Sequence, residues 1–255
     1  MFLQKILSTK LFRKVPEITA IFWIVKLLTT AMGESTSDFM VHHLDPVVAV
    51  IIGFIGFLIA IVLQFWARKY ITWIYWLAVT MVAVFGTMAA DVVHIVLGVP
   101  YLISTICFAV ALTVIFFVWY RVEKTLSIHS ISTPRREIFY WLTVMATFAM
   151  GTATGDMTAI TLNLGYFASG ILFAILFALP LVGNKVFKMN EVATFWLAYI
   201  FTRPLGASFA DWFGRTPDLG GIGFGTGRTS IVLTILIILF VVYISISKID
   251  IKKKA

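Results

Sequence analysis

Four of the chain's seven aspartates stand at one place in a recurring pattern. An aromatic–Trp pair is followed, counting from the Trp, ten residues later by Gly and fifteen residues later by Asp. The copies are Phe22-Trp23, Gly33, Asp38; Tyr75-Trp76, Gly86, Asp91; Tyr140-Trp141, Gly151, Asp156; and Phe195-Trp196, Gly206, Asp211. On a helix turning about 100° per residue, side chains at four-residue steps before each Asp share one stripe with it. That stripe holds Lys26, Thr30, Glu34 and Asp38 in the first copy, then Thr87 and Asp91, Thr152 and Asp156, and Arg203 and Asp211. Carboxylates and hydroxyls converging from several helices can replace the water around a small cation. The same groups also admit a structural use, in which each Asp caps the following turn or pairs with Lys26 or Arg203 to lock the copies together. Glu34 and Lys26 in one copy and Arg203 in another disfavour a uniform four-fold filter, so an asymmetric or two-fold site is expected.

Imidazole beside carboxylate suits a divalent transition metal or a proton relay. His94, three residues after Asp91, therefore makes Asp91, His94 and Asp156 a candidate metal site. His42 and His43 read as interfacial loop residues, and His129 as a solvated connector residue. A haem pair needs histidines facing each other at matched depth, which this distribution does not offer. A Schiff base on Lys26 would need a fold to which this pattern is unrelated. Cys107 is the single cysteine, excluding an intrachain disulfide and a cysteine metal cluster. The Gly-rich stretch 213–228 lacks the Gly-Lys-Ser/Thr ending of a phosphate loop and reads as a loop. No catalytic constellation emerges, and the chain is not expected to be an enzyme.

The elements that position these residues follow from composition. Of 255 residues 60% are hydrophobic and 13% charged, which calls for lipid as solvent. A bilayer core takes roughly 20 apolar residues per crossing. Eight such stretches lie near 17–40, 46–67, 71–96, 100–120, 137–160, 164–184, 190–212 and 229–247. Ten-residue alternating strands are absent, so the fold class is an all-α membrane protein rather than a β-barrel. Odd stretches carry the signature, whereas even ones are close to pure hydrocarbon, placing odd helices inside and even helices against lipid. Two crossings per copy relate the repeats by an axis along the membrane normal, not by inversion. The units are a flank at 1–16, repeats at 17–69, 70–132, 133–188 and 189–247, and a tail at 248–255. The Asp residues fall in the outer third of the membrane, with Lys26 and Arg203 nearer the middle, where each is expected to pair with a carboxylate from a neighbouring stripe.

The formal charge of +8 is concentrated in connectors. Lys5, Lys10, Arg13 and Lys14, Arg68 and Lys69, Arg121, Lys124, Arg135 and Arg136, Lys185 and Lys188, and Lys248, Lys252, Lys253 and Lys254 share one side, against Arg215 and Arg228 on the other. The positive-inside rule accounts for this without nucleic acid, and places both termini in the cytoplasm of a cell with the chain in its inner membrane. The first span is too long and polar for a cleaved signal core. Trp66, Trp73, Trp119 and Trp212 fall near span edges and read as aromatic belts.

The strings KVPEITAIFWIVKLLTTAMGESTSD and ATFWLAYIFTRPLGASFAD resemble the first and fourth units of a bacterial family of membrane-anchored proteins with four tandem two-helix repeats, domain of unknown function 347. The resemblance spans residues 14–247 and implies an architecture, not an activity. The function expected from the residues is a transporter or channel for a small cation, such as divalent Mn²⁺ with proton coupling. The metal is substrate, and no resident cofactor is implied. The alternatives are a non-transporting scaffold or sensor, or a membrane enzyme or electron carrier. The expected partners are the bilayer and the cation, with a homo-oligomer left open.

Overall fold

The computed structural model describes residues 13–251. Lys5, Lys10 and Lys252 to Lys254, counted above among the connector charges, lie outside the described residues. Within them the chain forms eight long helices: α1 (Ala20–His43), α2 (Pro46–Trp66), α3 (Thr72–Asp91), α4 (Tyr101–Glu123), α5 (Pro134–Asp156), α6 (Gly165–Phe187), α7 (Glu191–Gly214) and α8 (Thr226–Ser247). Local chemistry starts several of them. Thr19, Asp45, Thr133 and Asn190 each accept a hydrogen bond from a free first-turn N–H, and Pro46 and Pro134 occupy first positions where no N–H is required. Just past Asp91 and Asp156, α3 and α5 widen into π-helical turns, Val92–Val96 and Met157–Thr161.

Five helices, α2, α3 with its π turn, α4, α6 and α8, are long and apolar enough to cross a membrane. The chain is thus an integral membrane protein with multiple candidate spans. The helices outside that set, α1, α5 and α7, carry charged and hydroxyl groups that fall inside the bundle: Lys26, Glu34 and Arg203 are each at most 3% exposed. Polar helices need apolar neighbours to face lipid for them.

The odd helices form a closed inner ring in the order α1, α3, α5, α7 and back to α1. Each even helix packs on the odd helix of the next repeat: α2 on α3, α4 on α5, α6 on α7, and α8 on α1. A two-helix repeat therefore leaves its main partner surface to its neighbour, and the ring is an interlocked whole.

Two signature positions explain the closure. A Cβ on Gly33 would lie 2.5 Å from Ala83 Cβ; on Gly86, 3.0 Å from Phe148 Cβ; on Gly151, 2.5 Å from Arg203 Cγ; and on Gly206, 2.1 Å from Thr30 Oγ1. Each glycine thus admits the residue eight before the Asp of the next repeat. The aromatic–Trp pairs make a second closed circuit, in which every first aromatic touches its own Trp and that of the next repeat. Ring centroids run Trp23–Phe22 5.2 Å, Phe22–Trp76 5.6 Å, Trp76–Tyr75 5.2 Å and Tyr75–Trp141 5.9 Å. The circuit returns through Trp141–Tyr140 5.2 Å, Tyr140–Trp196 6.2 Å, Trp196–Phe195 5.1 Å and Phe195–Trp23 5.6 Å. Such pairs contribute beyond their buried area. Trp119, expected in an interfacial belt, is instead fully buried between Phe139 and Trp196, because α4 packs that face on α5.

Below the aromatic circuit, the first and last few described residues are tied to the bundle. Lys14 Nζ donates to Glu137 at 2.5 Å and to the Phe65 carbonyl at 3.1 Å, and Gln64 donates to the same carboxylate at 2.9 Å. Asp250 accepts from Tyr70 and Thr72, while its carbonyl accepts from Glu17 N at 2.9 Å.

Candidate functional site

The ring interior is layered by position relative to the four aspartates. One turn before Asp the repeats present Glu34, Thr87, Thr152 and Ala207; two turns before, Thr30, Ala83, Phe148 and Arg203; three turns before, Lys26, Val79, Val144 and Tyr199. Arg203 joins the first two of these layers. Its Nη2 pairs with Glu34 and lies 2.6 Å from Thr87 Oγ1 and 2.8 Å from Thr152 Oγ1. Both hydroxyls donate to their own helices, to Ala83 O and Phe148 O, and so are free to accept. Ala207, a turn above Arg203, is the short member of its layer, so one guanidinium gathers the equivalent groups of the other three repeats. The expected pairing of Arg203 with a neighbouring carboxylate is thereby present.

Lys26 departs from expectation. Its Nζ has no hydrogen-bond partner among the described residues and sits 4.1 Å from the Phe148 ring centroid and 4.2 Å from that of Tyr199. The reason is register: its layer contains no acid, and Glu34 lies about 12 Å further along the same helix. The amine's neighbours are aromatic faces rather than carboxylates.

The aspartates form the top layer. Arg215 links two of them, Nε to Asp211 at 2.9 Å and Nη2 to Asp38 at 3.3 Å. Asp38, Asp156 and Asp211 are 3 to 9% exposed, Asp91 is partly exposed, and neither Asp91 nor Asp156 has an ion-pair partner among the described residues. Glu34, Asp38 and Asp211 each offer an oxygen within 4.8 Å of the others, close enough to share a metal ion. Asp91, His94 and Asp156 do not converge in this way. The π turn carries the His94 ring away from the stripe, toward Val99 O at 3.2 Å and Ser104 Oγ at 3.3 Å, with Tyr101 packed on it at 4.4 Å. His42 and His43 turn their Nδ1 atoms to the Asp38 and Phe39 carbonyls of their own helix.

The site is asymmetric: both guanidiniums come from the fourth repeat, and Glu34 from the first. Arg215 escaped the sequence reading, although its i+4 spacing from Asp211 is the standard helical pairing distance. Phe148 and Tyr199 escaped it too, because aromatic residues in an apolar helix carry no distinctive signal.

The family model described as Repeat of Unknown Function (DUF347) matches the chain four times, at residues 21–70, 74–125, 139–188 and 194–250. The chain belongs to this family. Each match begins in the first turns of an odd helix and ends just after an even one, so the family repeat coincides with one two-helix step around the ring. No curated protein and no solved structure matches the chain.

Proposed function

We propose that this protein moves a small cation through the centre of the four-repeat ring, with a divalent metal such as Mn²⁺ as substrate and proton movement coupled to it. One observation carries the reading: five carboxylates, Glu34, Asp38, Asp91, Asp156 and Asp211, share the upper interior with two guanidiniums, Arg203 and Arg215. If all are ionised, three negative charges lack a counter-ion, and in a low-dielectric interior only cations or protons relieve that excess. Carboxylate oxygens suit hard divalent ions such as Mn²⁺. Glu34, Asp38 and Asp211 are the binding group; Asp91 and Asp156 line its approach. Lys26 lies below it as a second buried basic side chain, while Thr87 and Thr152 support the site through Arg203.

The basic connectors, among them Arg68, Lys69, Arg121, Lys124, Arg135 and Arg136, lie at the aromatic end. By the positive-inside rule that end faces the cytoplasm, both termini are cytoplasmic and the Asp layer faces outward. The aromatic circuit then closes the inner side of the pathway. A second reading, a non-transporting scaffold, draws support from Arg203, whose contacts also make a structural clamp.

Mn²⁺ binding to the detergent-solubilised protein separates the two. Asp38→Asn and Asp211→Asn variants with parental melting behaviour should each lose about tenfold or more in affinity. Equal affinity in parent and variants, or no binding, contradicts the cation reading.

A further inference from the structure

Lys26 is the buried ionisable group that the carboxylate site leaves unused. Its side chain is 1% exposed, and no described residue accepts a hydrogen bond from its amine. Two aromatic faces hold it, and one of them, Phe148, also lies 5.6 Å from the Arg203 guanidinium. The charged and titratable groups around it are few. Helix α7 contributes Tyr199 and Arg203; α5 contributes the Phe148 ring and, one turn nearer the aromatic circuit, Tyr140; and α3 offers Val79 at this depth with Tyr75 one turn away, its hydroxyl 2.6 Å from that of Tyr140. In α8, Arg228 and Tyr243 stand near the two ends, far from this layer, and on α1 the nearest ionisable neighbour is Glu34.

The amine can gain or lose a proton without breaking a hydrogen bond, because it makes none. Arg203, the other cation buried in the ring, stays charged at any accessible pH and holds the carboxylate and both threonines in either case. We propose that Lys26 is the proton-exchange site of the transport cycle: a divalent cation entering the Glu34, Asp38 and Asp211 group expels the Lys26 proton to water, and loss of the cation allows it back. The proposal rests on the cation reading above.

Linkage sets its size. A divalent ion about 12 Å from a unit charge, at an effective dielectric constant near 20, couples the two by roughly a hundredfold in affinity. That coupling is reciprocal, so Lys26 charge weakens cation binding by the same factor. Lys26→Met fixes the neutral state at similar volume, and Lys26→Arg fixes the charged one.

The test is Mn²⁺ binding to the full-length protein in weakly buffered detergent, with released protons read by an indicator dye. The parent should bind more tightly as pH rises and release protons on binding. Lys26→Met should release one proton fewer per bound ion, and Lys26→Arg should bind roughly a hundredfold more weakly than Lys26→Met. Binding with the same proton release in Lys26→Met as in the parent overturns the assignment of Lys26 and leaves the cation reading intact. No Mn²⁺ binding by the folded parent overturns both. If neither variant folds, the parent alone decides against the proposal when its binding is independent of pH.

Discussion

The strongest residue-scale commitment is the buried contact between Arg203 and Glu34, which brings charge into an apolar interior and must be closed by geometry. Removing one partner of such a pair strands the other, at a cost of about 3–5 kcal/mol. Glu34→Gln and Arg203→Met should each destabilise the protein by that amount in equilibrium unfolding, while the double variant should lose much less than the sum. Additive losses would mean that the two side chains do not act as a pair. A second residue-scale prediction concerns Asp250, beyond the last helix. Burial raises its carboxyl above the usual 3.8, and hydrogen bonds from Tyr70 and Thr72 oppose that rise. The folded state therefore binds this proton more tightly than the unfolded chain. The stabilisation is fully present below 3.8 and declines as the pH climbs through the folded value. Asp250→Asn should flatten that decline in a melting profile taken across the mildly acidic range; an unchanged profile would remove Asp250 as its source.

Among the elements, the helices meet through their glycines. On Gly33 a Cβ would stand 2.7 Å from the Ala83 backbone carbonyl carbon, and on Gly206 2.9 Å from the Ala31 backbone nitrogen, atoms that cannot rotate away. Gly33→Ala and Gly206→Ala should each destabilise the fold by about 1–3 kcal/mol through overpacking. Gly155→Ala is the internal contrast, since its nearest neighbour, Pro204 Cα, is 3.8 Å away. It should be neutral, or stabilising by up to about 1 kcal/mol from helix propensity. Equal loss in all three would rule out close approach as the reason for the signature glycine. At this scale much was legible in advance. The helices lie within a few residues of their expected positions because long apolar runs and caps mark them directly. The glycine contacts were legible in kind, since a missing side chain permits approach, but the partner was not. That each even helix serves the next repeat is a property of ring closure, which no local pattern encodes. The pairing of Lys26 failed for a similar reason: the stripe gives direction around the helix, and depth then separates Lys26 from every acid. Trp119 lies near a span edge in sequence but on the packed face of its helix.

For the whole molecule, the ring separates charge along its axis. Acidic groups crowd one end, a lysine and an arginine occupy the middle, and a closed aromatic circuit followed by the Lys14, Glu137 and Gln64 cluster seals the other. A merely structural ring has no need for Asp91 and Asp156, which have no ion-pair partner among the described residues. The central claim is that these carboxylates line a cation path. The most direct measurement is uptake of Mn²⁺, Zn²⁺, Mg²⁺, K⁺ and H⁺ into proteoliposomes, comparing the parent with folded Asp91→Asn and Asp156→Asn variants. Flux of a divalent ion by the parent, reduced about tenfold or more in each variant, is the predicted result. Absence of flux for every ion, or parental flux in both variants, would contradict the account.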